Sequence, residues 1–95
     1  MTKSQFQEVI ETAKFVLRNY VSEHSDVAAS STYTDKQKQM HRFETEDKIT
    51  GAVMMAKQLV YAYMLTDGSY TSGEDEEARL SIEKMGSIYR DKLEK

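Results

Sequence analysis

The chain has 95 residues, 39% of them hydrophobic and 31% charged, with a formal net charge of −3 and neither cysteine nor proline. That balance belongs to a folded globular chain and not to a disordered one, and the missing cysteines exclude disulfides, thiolate metal sites and thiol catalysis. A charge so mild and negative also argues against nucleic acid as the ligand, because phosphate binding draws on a positive field.

The polar opening Thr2, Lys3, Ser4, Gln5 does not resemble a signal peptide, and no stretch reaches the ~20 apolar residues of a membrane span. The expectation is one cytoplasmic domain over residues 1–95, without membrane contact. Only Gly51, Gly68, Gly73 and Gly86 punctuate it, too few turn signals for a β-rich fold. The predicted class is all-α, a bundle of three principal helices.

The first helix is expected over about 4–24. Phe6, Ile10, Ala13, Leu17 and Tyr20 follow one another in steps of four and three, with Val9, Val16 and Val21 beside them, the period of a buried helical stripe. Ser4 and Gln7 have the spacing of a capping box. Residues 25–34 (SDVAASSTYT) lose the period and are rich in hydroxyl side chains that compete for backbone hydrogen bonds, which predicts a loop.

The second helix has two possible starts. Thr34 with Gln37 would cap a long helix over 35–67, whereas Thr45 would cap a shorter one with Glu46 and Asp47 in its first turn. Nothing between 35 and 50 breaks a helix, so the long version is preferred. Gly68 fits the C′ position and 68–73 (GSYTSG) reads as a turn. A third helix follows over about 74–93. Ser72 or Gly73 caps it, Glu74–Glu77 lie at its positive end, and Ala78, Ile82, Met85, Tyr89 and Leu93 form its stripe.

On a helical wheel the second helix is apolar nearly all round. Ile49, Ala52, Val53, Ala56, Val60 and Tyr63 share one face, while Met54, Tyr61 and Leu65 lie opposite, joined by Met40 and Phe43. Gly51, Met55 and Ala62 form a strip of their own, and the methionines Met54, Met55 and Met64 would suit an adaptable contact surface. A helix of this kind is normally buried, and two neighbours from one chain cover only one broad face. The expectation is therefore a homodimer or higher oligomer whose interface uses Met40, Phe43, Met54, Met55, Tyr61, Ala62 and Leu65. Phe15 and Leu80, each isolated among polar neighbours, are added as partner anchors.

Candidates for chemistry are sparse. His24 falls in line with the first helix's stripe, near its C-terminal end. A zinc site would have to combine His24 and His41 with carboxylates, and His41 with Glu44 has a spacing seen in helical metal sites. Lys36, Lys38 and Arg42 beside Tyr33 and Phe43 form a possible phosphate contact, offset by Glu44, Glu46 and Asp47. Asp67, Ser69 and Thr71 begin like a calcium loop, but Ser72 and Ala78 stand where glycine and a bidentate glutamate are needed. The acidic run Glu74–Glu77 would suit nucleic-acid mimicry, although the helix dipole already accounts for it.

The pairs Glu8-x-x-Glu11 and Glu23-x-x-Asp26 resemble the acidic signature of the all-α MazG-type nucleotide pyrophosphohydrolases. The resemblance implies carboxylates on neighbouring helices holding magnesium against a triphosphate. Here the stretch between the two pairs is uninterrupted helix, so they cannot face each other across a hairpin in one chain, and such an enzyme would have to be assembled at an oligomer interface. The preferred reading is a non-catalytic interaction module without cofactor that regulates or inhibits a larger protein. Its composition is that of the short accessory proteins of phages and mobile elements.

Overall fold

The computed structural model describes residues 2–66, 68 and 72–93. Three helices make up the fold: α1 (Lys3–Ala29), α2 (Asp35–Thr66) and α3 (Ser72–Lys92). Each packs against the other two, with α2 the shared partner of the largest contacts. The result is an all-α bundle drawn out into a rod of 52 × 19 × 18 Å. None of the described helices is long and apolar enough to cross a membrane.

Local chemistry fixes the helix starts. At α1 the capping box is made by Thr2 and Gln5, not by Ser4 and Gln7. The Gln5 N–H donates to Thr2 Oγ1 at 3.1 Å and the Thr2 N–H donates to Gln5 Oε1 at 2.9 Å. Thr34 and Gln37 repeat the arrangement at α2, at 3.1 and 2.9 Å. Two orphan backbone donors are satisfied at each start, and α2 runs unbroken from there, as the long version requires.

The end of α1 differs from expectation. Residues 25–29 continue the helix, and the link to α2 is only 30–34. Ala28 and Ala29 favour helix enough to offset Ser25 and Asp26. Within the link the Ser30 and Thr32 hydroxyls lie 2.7 Å apart and the Thr32 N–H donates to Ser30 Oγ at 3.2 Å. Gly68 has φ +68, the left-handed conformation that glycine adopts freely after a helix. Ser72 and Gly73 belong to α3, so its cap, the rest of the predicted turn and most of the calcium-like run fall outside the described residues.

The core is one cluster. Val9, Ala13 and Leu17 of α1 meet Ile49, Val53, Ala56, Val60 and Met64 of α2 and Ala78, Ile82, Met85 and Tyr89 of α3, with Leu93 just beyond. The expected stripes are largely present, with one exchange at the end of α2. There Met64 is buried and Tyr63 is turned outward. At that point α2 is approached by α3, and the stripe drifts one residue to follow it.

Three contacts set the register of α2 against α3: Lys57 Nζ with Glu83 Oε1, Val53 against Gly86, and Arg90 Nη2 donating to Thr50 Oγ1 at 2.8 Å. The two helices run antiparallel, and α3 finishes a turn or so past the level of Thr50. Toward their linked ends α1 and α2 therefore continue together as a two-helix overhang. Gly86 faces Val53 across the α2–α3 contact, and a Cβ added there would lie 2.7 Å from Val53 Cγ2. Gly86→Ala should lower stability by about 1–3 kcal/mol through that clash, outweighing the helix propensity gained. Urea unfolding would check this, and an unchanged or raised midpoint would mean that the helices part easily.

Candidate functional site

Two features stand out from the scaffold. One lies inside the overhang, and the other lies along the outside of α2.

Inside the overhang, His24 of α1 meets His41 of α2. Their Nδ1 atoms are 3.0 Å apart, and the rings are 7° from parallel with centroids 5.3 Å apart. That centroid distance is the N···N distance plus about one ring radius at each side, so the rings lie end to end in nearly one plane. One Nδ1 must donate to the other, which gives the two imidazoles opposite tautomers. The pair is closed in by Thr45, whose hydroxyl donates to the His41 carbonyl at 2.8 Å and lies 3.5 Å from His41 Nδ1. His24 is only 6% exposed.

Burial holds the His24 pKa below its ordinary value, helped by His41 and then Arg42, and opposed by Glu46. Arg42 Nε lies 3.5 Å from Glu46 Oε1 one turn along α2. If both rings were protonated, two N–H groups would point at one another across 3.0 Å. The pair therefore needs at least one neutral ring. The two histidines that any zinc site would have to use are thus brought together. Among the described residues, however, no group of three histidine or carboxylate side chains is placed to hold a metal.

The second feature is the face of α2 turned away from the core. Met40, Phe43, Met54 and Leu65 are 54–56% exposed, and Tyr61 and Met55 are exposed with them. Gly51 and Ala62 lie on the same face, both open to solvent. Met64, counted with Met54 and Met55 as contact surface from composition, is instead part of the core. From Met55 the apolar surface continues through Leu59 into a groove of about 440 Å³ between α1 and α2, walled by Ala13, Val16, Tyr20 and Ala52. Phe15 and Leu80, at 64% and 58% exposure, lie on α1 and α3 and stand apart from this band.

The remaining candidates are dispersed. Lys36 and Lys38 are two residues apart on a helix and so point ~160° from each other, while Arg42 is engaged with Glu46. Glu8, Glu11, Glu23 and Asp26 all lie on α1 and are exposed. The first pair is separated from the second by ~22 Å along the axis. In the acidic run, Asp75 is buried and pairs with Arg79 at 3.2 Å, while Glu74, Glu76 and Glu77 face solvent.

The histidine pair makes stability depend on pH. Because the folded pKa of His24 is lowered, the unfolded chain takes up the proton first. The contribution is complete above the ordinary histidine value of about 6.5 and is lost as pH falls below it. Urea midpoints measured from pH 8 to pH 5 should drop below pH 6.5 in the wild type and vary less in His24→Gln. Parallel profiles for the two proteins would remove His24 from the explanation.

Neither a family model nor a curated protein nor a solved structure matches this chain, so its functional reading rests on its own residues and their geometry.

Proposed function

We propose that the chain is a protein–protein interaction module that docks through the outer face of α2 and acts as a small regulator or inhibitor of a larger protein. The observation that carries this reading is the band of exposed apolar side chains from Met40 to Leu65, over which none of the described elements lies. Single exposed apolar residues are ordinary on a protein surface. A band that follows one helix face for about seven turns and opens sideways into a groove is a patch of the kind that marks binding sites.

The residue types suit docking. Methionine side chains have three rotatable bonds and a polarisable sulfur, so Met40, Met54 and Met55 can adapt to a partner's relief. Phe43 and Tyr61 supply the large, stiff aromatic groups that carry much of the energy at interfaces. The buried core cluster contains none of them.

Replacing Met54 and Leu65 together by glutamate tests this. Helix content and the cooperative melt should be retained, while association with protein, whether self or foreign, weakens by at least about tenfold. The measurements are sedimentation of the purified chain and capture of partners from its native cells by wild type and variant in parallel. The reading fails if the wild type neither self-associates nor retains a protein that the double variant releases.

A further inference from the structure

Resting on the interaction reading, the pattern of the α2 band specifies its occupant. We infer that the outer face of α2 pairs with the same face of a second copy, antiparallel, about a two-fold axis beside the Ala52–Val53 peptide.

Shape and surface area give the first argument. A compact chain of 10.9 kDa exposes about 5,600 Å², whereas this one exposes 6544 Å². Its radius of gyration is 15.7 Å against about 12 Å for a compact domain of this length. The excess of roughly 900 Å² is of the order that each partner contributes to a standard interface, about 800 Å². Laying two rods side by side along α2 removes an excess of this kind.

The second argument is self-complementarity. In a two-fold contact, if one residue meets another then the second also meets the first. Folding the band onto itself about the Ala52–Val53 peptide sets Met40 against Leu65 at its two ends and, between them, Phe43 against Ala62 and Met54 against Gly51, large against small. Gly51 is otherwise unexplained. A Cβ there would meet nothing within 4 Å of its own chain, and a mid-helix glycine weakens a helix relative to alanine. A hollow at Gly51 receives the partner's Met54.

Charge chooses the direction. Besides Glu44 in line with Ala62, the seam carries a carboxylate at its centre, Asp47. A parallel pairing in register would set it against its own copy, as well as hollow against hollow at Gly51. The antiparallel pairing sets Asp47 against Gln58, whose amide can donate to it, and opposes the two helix dipoles favourably.

Sedimentation and cross-linking test the proposal, because the chain has no cysteine of its own. The wild type should sediment at twice its 10.9 kDa mass. Gly51→Leu, which its own chain has room for, should keep the helical spectrum and melt while dimer dissociation rises ~100-fold or more. Met40→Cys and Leu65→Cys, oxidised separately, should remain uncross-linked, since each is ~38 Å from its own copy. Mixed and allowed to exchange, they should give a covalent dimer. A wild type that stays monomeric at millimolar concentration overturns the pairing, as does either variant cross-linking alone. If the monomer still captures a protein that the Met54/Leu65 double variant releases, the second copy is wrong but the interaction reading stands. If it captures none, both fall.

Discussion

The constraint on which the structure depends is the mismatch between α2 and its two neighbours. A 32-residue helix with apolar side chains on every side cannot be wrapped by one helix of 27 residues and another of 21. Two helices cover one broad face, and Ile49, Val53, Ala56 and Val60 take that face because their stripe matches those of α1 and α3. The opposite face is left exposed, and it is the surface on which the proposed docking depends.

The same mismatch accounts for the histidines. Where α3 runs out, α1 and α2 continue as a pair, and a two-helix contact cannot bury a wide apolar stripe from every side. Here the stripe changes chemistry, from Ile49 to Thr45 to His41 on α2 and to His24 on α1. A buried polar group is costly unless hydrogen-bonded, and these groups satisfy one another across the helix pair. The overhang thus gains a specific, pH-sensitive contact where the rest of the bundle relies on aliphatic packing.

Much of this was legible in the residues, and the failures have physical causes. The long α2 was readable because Thr34 and Gln37 have capping-box spacing and no breaker follows. Ser4 and Gln7 have the same spacing, yet the box formed at Thr2 and Gln5, since both pairs satisfy the pattern and the pattern does not choose between them. The hydroxyl-rich 25–34 stretch was read as loop throughout because propensity is a weak prior, and two alanines with a helix already under way override it. The exchange of Met64 for Tyr63 depends on where α3 approaches, which the period of α2 does not contain. The His24–His41 contact had a signal that went unused. The two residues lie eight and nine residues from the middle of the 30–34 link, so an antiparallel hairpin places them close to opposite each other.

The sequence by itself determined the helical class, the number of helices, the core stripes and the excess of apolar surface on α2, because these follow from the period of side chains along a single chain. Only the tertiary structure decided which turn of α2 faces which neighbour, where α3 stops, that the two histidines share a proton position, and that packing within the chain requires a glycine at Gly86 but not at Gly51. Those depend on distances between segments far apart in the chain, and no local pattern of residues carries that information.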